Sequence, residues 1–374
     1  MKRWIALGLA LGLACATAVA QAKTLQDYRI PQVEDYCRLS LLAGGDRMLA
    51  SSGLEEELRL SRRAEDGSVR YEVVVPMMST QRGTLSASLP DGRYAAAFRV
   101  DEETDEVRLY DESGEVGTFR LPLGADYLRM EETCIVLVYR DLREVKLIDY
   151  TGREMLTLSL PVGRKPRYAE AFIGQQVIYV LASTQALDGE NATDAPYLLC
   201  AYDTEGGLLF DRLLFEGELG FYLYGSKCVD AQDALVIAGA DQTDYKRAHV
   251  LRVDTSGRTT YHHVISDDQG AVVSISCARA DGEDTTLYGT VMAQSRGVFA
   301  CVELHLDNTG VLTESDLREF DLTRDYLYDL GVAPDGTAYA VKRQIKDKGI
   351  EFEWISVVPF ADLPATDKAR VVIE

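Results

Sequence analysis

One short hairpin signal occurs five times in this chain. Asp-x-x-Gly separates two strand-like runs at Asp111–Gly114, Asp149–Gly152, Asp203–Gly206, Asp254–Gly257 and Asp307–Gly310. Asp suits the first position of a type I turn because its carboxylate accepts a nearby backbone N–H. Gly then supplies the positive φ that follows, without a Cβ clash. Glu65-Asp66-Gly67 takes the same place upstream, and the spacings run from about 38 to 54 residues. A second set of turn signals interleaves with the first: Gly44-Gly45-Asp46, Pro90-Asp91-Gly92, Glu131-Glu132, Gly174-Gln175-Gln176, Asp230–Asp233, Asp281-Gly282 and Pro334-Asp335-Gly336. Each precedes an apolar, β-rich run such as Val177–Leu181 or Ala234–Ala238. The two sets together cut the chain into units of four strands.

Residues 28–39 (YRIPQVEDYCRL) and 119–130 (FRLPLGADYLRM) align without a gap. In the second segment Phe119–Pro122 ends an outer strand and Tyr127–Met130 begins the next inner one. The first segment should do the same, so residues 24–30 are expected to complete a unit begun near the C-terminus, at 326–332, 338–344 and 351–358. Closing the ring in this way removes exposed sheet edges. Pro31, Pro76, Pro122 and Pro161 fall where outer strands stop, which suits a residue with no N–H for the ladder.

This pattern resembles the β-propeller superfamily, and the resemblance covers residues 24–374. The implied fold is all-β: a single β-propeller of four-stranded antiparallel blades, most simply seven, closed by pairing the N-terminal strand with the C-terminal blade. Six and eight blades are the alternatives, because Val371–Ile373 could supply the closing strand instead. The likeness to WD40-like and quinoprotein-like bladed repeats is architectural only. Gly-His and Trp-Asp pairs are missing, Trp4 and Trp354 are the only tryptophans, and no cofactor or binding residue transfers.

Met1-Lys2-Arg3, the uncharged run Trp4–Ala20 and the small residues Ala18, Ala20 and Ala22 read as a signal peptide over residues 1–22. The domain is then 23–374. The expected location is secreted, or the periplasm or cell envelope, and the cleaved chain is not an integral membrane protein. Lipoprotein processing at Cys15 is the alternative, against which Gly12-Leu13-Ala14 lacks the usual large aliphatic residue; an uncleaved anchor is a further one. Residues 1–22 carry Lys2 and Arg3 and no acid, so cleavage moves the net charge from −21 to −23. With no run of Lys or Arg to displace counterions from phosphate, nucleic acid is not an expected partner. The acidity reads as solubility outside the cell. The mature chain keeps six Cys in no metal-site spacing, mostly inside apolar runs, and buried thiols without disulfides are expected.

Connections between one unit's outer strand and the next unit's inner strand all reach one face around the axis. They supply the candidate ligand-binding residues Tyr36, Arg82, Tyr127, Arg164, Tyr168, Tyr222 and Tyr326. Tyr offers a large contact area and a polar tip at little entropic cost, so such a ring suits a sugar, a peptide or a polar protein tip. The competing reading is that each Tyr wedges an inner strand against its neighbour. The acidic loop Ser183–Ala195 does not have the order of an EF-hand, so no cofactor is expected, with structural calcium as the alternative. His249 and His305 lie in different units and His262 and His263 point to opposite faces of one strand, so no histidine metal site is expected either. Hydrolase-elbow and nucleotide-cradle motifs are absent. The reading is an exported, monomeric, non-enzymatic recognition or scaffold propeller that binds an exported protein or a polar small ligand. The alternative is an extracellular enzyme acting on carbohydrate or phosphate esters through channel carboxylates, and a third class is a structural part of an envelope complex.

Overall fold

The computed structural model describes residues 26–29, 36–42, 46–52, 57–64, 68–76, 86–100, 104–160, 164–186, 197–214, 221–222, 227–241, 244, 246–320, 325–333, 336–345 and 352–374. Seven small antiparallel sheets stand in a ring, a seven-bladed β-propeller. Blade 1 holds β2 (Tyr36–Leu41), β3 (Arg47–Ser52), β4 (Glu57–Arg63) and β5 (Val69–Pro76). Blade 2 holds β6 (Ser86–Ser88), β7 (Tyr94–Arg99), β8 (Asp105–Asp111) and β9 (Gly114–Arg120). Blade 3 is β10 (Tyr127–Met130), β11 (Ile135–Tyr139), β12 (Glu144–Ile148) and β13 (Glu154–Ser159). Blade 4 is β14 (Arg164–Ile173), β15 (Val177–Ala186), β16 (Tyr197–Asp203) and β17 (Leu208–Leu214). In blade 5 the innermost position is shared by β18 (Phe221–Tyr222) and β19 (Lys227–Val229), both paired with β20 (Leu235–Asp241), and β21 (Ala248–Val253) and β22 (Thr259–Asp267) follow. Blade 6 is β23 (Val272–Asp281), β24 (Asp284–Ala293), β25 (Val298–Leu306) and β26 (Leu312–Glu319).

Blade 7 closes the ring. Its strands β27 (Asp325–Val332), β28 (Ala338–Ile345) and β29 (Phe352–Pro359) accept β1 (Gln26–Arg29) as the outermost, with Tyr28 opposite Ile355. The N-terminal closure read from the sequence therefore holds, and with it the count of seven. Val371–Ile373 (β30) has another destination. It pairs outside β22 as the sixth and outermost strand of the blade 5 sheet, with Ile373 opposite Ile265 and Val371 opposite Asp267. The physical reason is that β1 already fills the outer edge of blade 7. The segment leading to β30 crosses the outer strand of blade 6, where Glu319 N donates to Pro364 O at 2.7 Å and Thr366 N to Leu317 O at 3.0 Å.

The Asp-x-x-Gly hairpins behave as their chemistry requires. At Asp254 the carboxylate Oδ1 accepts from Ser256 N (3.0 Å), Ser256 Oγ (2.6 Å) and Arg258 N (2.9 Å), while Gly257 N donates to Asp254 O. The same bonds recur around Asp149 and Asp307, with Thr as the hydroxyl residue. A register shift accompanies the turn in most blades, as between Arg252 and Val253, which is the bulge that a type I turn with a left-handed residue produces.

The core lies between blades. Along β11, Val136 and Val138 pack with blade 4, while Ile135, Leu137 and Tyr139 pack with blade 2. A second strand buried on both faces explains why these segments read as continuous apolar runs and not as alternating ones. Tyrosines tie the blades together: Tyr94 OH donates to Ser61 O, Tyr202 OH to Ser159 O and Tyr179 OH to Asp233 O, each across a blade boundary. Cys134, Cys200, Cys228, Cys277 and Cys301 form no disulfide. Among the described residues no helix is long and apolar enough to cross a membrane.

Candidate functional site

The first strands of successive blades are neighbours around the axis and run in the same direction, so their starts share one face of the ring. Tyr36 opens β2, Tyr127 opens β10, Arg164 opens β14, Tyr222 ends the short β18, and Tyr326 is the second residue of β27. Arg82 lies outside the described residues. Tyr168, expected in a connection, is the fifth residue of β14. The two whose side chains are described, Tyr127 and Tyr168, come together across the boundary between blades 3 and 4.

Their ring centroids are 6.1 Å apart with planes tilted by 48°. Tyr168 Oη lies 3.2 Å from Tyr197 Oη, at the start of the third strand of blade 4. Three tyrosines thus stand on the connection face. Part of the Tyr127 ring packs on the core between blades 3 and 4, so it also wedges the strand. Burial raises the Tyr127 phenol above its ordinary value, against the opposing pull of Arg129. It is a neutral hydroxyl at physiological pH.

Alternation along a strand puts a charged layer two residues further on. Arg129 follows Tyr127 and Glu170 follows Tyr168, each on the same side of its strand. Arg129 Nη1 donates to Glu170 Oε1 at 2.8 Å, and Lys227 Nζ of blade 5 donates to Glu170 Oε2 at 2.5 Å. Arg129 Nε also bonds Glu131. One carboxylate therefore joins the first strands of three blades. Lys227 is 6% and Glu170 12% exposed at the side chain. Burial draws the Lys227 ammonium below its usual value although Glu170 pulls the other way, and its Nζ lies 5.9 Å from the centre of the Phe172 ring.

Sequence reasoning missed Arg129, Glu170, Lys227 and Tyr197. The available signal was the pattern Tyr127-x-Arg129 and Tyr168-x-Glu170-x-Phe172, in which a charge stands two residues after each tyrosine inside an innermost strand. Two acidic residues of the connections, Asp126 and Asp267, are already engaged. Asp126 Oδ2 accepts from Arg140 N at 2.8 Å. Asp267 accepts from Ala271 N, Gln269 N, Arg370 N and Arg296 Nη2.

No protein-family model matches the chain, and neither does any curated protein. Solved structures do. The chain is similar to an acylaminoacyl peptidase in complex with Z-Gly-Gly-Phe-chloromethyl ketone, at 12% identity and a TM-score of 0.50, over 90% of this chain and 52% of that one. It spans about half the length of that peptidase. It is also similar to BBS1N in complex with ARL6DN (11% identity, TM-score 0.49, 90% of this chain and 95% of that one). A third is the β-propeller domain of Cps50 (Swd1) from Myceliophteria thermophila (11%, TM-score 0.46, 89% and 100%). Likeness at this identity concerns the fold, and function must be argued from the site.

Proposed function

We propose that this chain is an exported, non-enzymatic recognition propeller that binds a protein or a polar ligand on its connection face, around Tyr127 and Tyr168. The observation that carries this reading is the tyrosine group of blades 3 and 4 backed by the charged layer of Arg129, Glu170 and Lys227. The tyrosine clamps Tyr94, Tyr179 and Tyr202 give their hydroxyls to backbone carbonyls of a neighbouring blade. Tyr168 and Tyr197 bring theirs to each other. Phenol rings with hydroxyls near a fixed charge layer suit hydroxyl-rich and amide-rich partners, because they stack and hydrogen-bond with little entropy to lose. Glu170 is held by two cations, which fixes it as part of a binding floor. The apolar run over residues 4–20 supports export.

The test is a thermal-shift screen of residues 23–374 with neutral glycans, sugar phosphates and peptides, run beside the Tyr127→Ala/Tyr168→Ala variant. A ligand that binds the native state alone raises the melting temperature. A shift that disappears in a variant still unfolding cooperatively supports the site. A shift of equal size in that variant refutes it, and turnover of a bound ester or glycan would move the assignment to an enzyme.

A further inference from the structure

Blade 5 carries a histidine arrangement away from the tyrosine group. His249 Nδ1 and His262 Nε2 face each other at 3.0 Å, with ring centroids 5.2 Å apart. The two belong to adjacent strands, β21 and β22, in a diagonal register: Leu251 is opposite His262 and His249 is opposite Val264. The other nitrogen of His249, Nε2, lies 3.1 Å from Asp241 Oδ2. His249 and Asp241 are 4% and 5% exposed, whereas His262 reaches solvent. A carboxylate only accepts, so Nε2 of His249 carries a proton, and the neutral form of that ring presents its Nδ1 lone pair toward His262. A carboxylate holding the far nitrogen of a histidine is the usual support of a metal-bound imidazole.

We infer that His249 and His262 together chelate a divalent transition-metal ion of the Cu2+ or Ni2+ class, through Nδ1 of the first and Nε2 of the second. Two nitrogens each about 2.05 Å from a metal and at a right angle lie about 2.9 Å apart, against about 3.4 Å for a tetrahedral pair. The observed separation of 3.0 Å is close to the right-angled value, which square-planar Cu2+ and Ni2+ take up with imidazole. To ligate, His262 moves its proton from Nε2 to Nδ1 through solvent, so no net proton is released. Among the described residues no group of three His, Cys, Asp or Glu could hold a metal, so the inference rests on the two imidazoles alone. The sequence reading compared His249 with His305 and His262 with His263, and so passed over the pair that meets across two strands.

The experiment titrates residues 23–374 with Cu2+ by calorimetry at neutral pH in a non-coordinating buffer and reads the bound ion by electron paramagnetic resonance. One Cu2+ per chain with nitrogen couplings from two imidazoles is expected. His262→Gln, at an exposed position, should weaken binding at least tenfold without lowering the metal-free melting temperature, and Asp241→Asn should weaken it about tenfold. Stoichiometric binding unchanged in His262→Gln, or no saturable binding by the wild type, overturns the inference.

Discussion

The ring of Phe210, on the outer strand of blade 4, occupies the space that a side chain on Gly257 of blade 5 would need: a Cβ there would lie 2.8 Å from Phe210 Cγ. Gly257 also has φ of +82°. The hairpin glycine therefore answers two demands, one from its own turn and one from the preceding blade. Gly152 with Phe119 and Gly310 with Tyr261 repeat the contact. Gly124 separates the two demands, since its φ is +81° and nothing lies within 4 Å of its would-be Cβ. Gly124→Ala should cost about 1 kcal/mol for the left-handed backbone, and Gly257→Ala about 3 kcal/mol once overpacking is added. Urea unfolding of the two variants checks this, and equal losses would show that Phe210 moves aside freely.

The fold was legible where local chemistry determines it. Asp254 and Gly257 set their hairpin by themselves, and the gapless match of residues 28–39 to 119–130 carried the ring closure. The destination of Val371–Ile373 was not legible, because three β-prone residues carry no cue for which free edge they meet. The site was legible only in part. Tyr127 and Tyr168 could be placed on one face from strand order, but their contact depends on how blades 3 and 4 turn toward each other. Glu170 and Lys227 stand 57 residues apart, and only the ring brings them to bonding distance. The meeting of His249 with His262 depends on the register of β21 and β22, which the Asp254–Gly257 hairpin sets only together with the bulge between Arg252 and Val253, a shift that the turn residues alone do not locate.

Glu170 should be the most costly charge to remove near the axis. Glu170→Gln leaves Lys227 buried without its carboxylate, and breaking such a pair costs about 3–5 kcal/mol. Arg129 keeps Glu131, so most of the loss should trace to Lys227. Adding Lys227→Met to Glu170→Gln should recover most of the stability. Unfolding free energies of the two single variants and the double variant supply the cycle, and additive losses would mean that the two groups are not coupled.

Asp233 should act as a clamp between blades. Its Oδ1 accepts from Gln175 N at 2.6 Å and its Oδ2 from Gln176 N at 2.9 Å, both in blade 4, and its own carbonyl takes the Tyr179 hydroxyl. It holds these bonds with φ of +58°. Asp233→Ala keeps the strained backbone and loses both carboxylate bonds, so a loss of about 2–3 kcal/mol is expected. Hydrogen exchange at the amides of Gln175 and Gln176 should accelerate in the variant. Unchanged exchange there would show that those two amides find another acceptor.

Asp267 should set part of the acid sensitivity. Burial alone would raise its carboxyl, but N–H groups of Ala271 and Arg370, the Arg296 guanidinium and Gln269 N–H outweigh that and hold it below the ordinary Asp value. A group whose folded value is depressed contributes stability that is fully present above the unfolded value, about 3.9, and is lost as pH falls through the folded value. The stability difference between wild type and Asp267→Asn should thus be constant near neutrality and shrink on acidification from about pH 4 downward. The Arg370 contact ties this to the C-terminal strand, because Arg370 N donates to Asp267 Oδ1 and Val371 begins the pairing with β22. Deleting residues 365–374 removes that donor and bares the edge of β22, so it should weaken the acid dependence assigned to Asp267 and promote association through the exposed edge. Urea midpoints across the acid range for the wild type, Asp267→Asn and the truncated chain test both points, and parallel pH profiles for all three would remove Asp267 from the account.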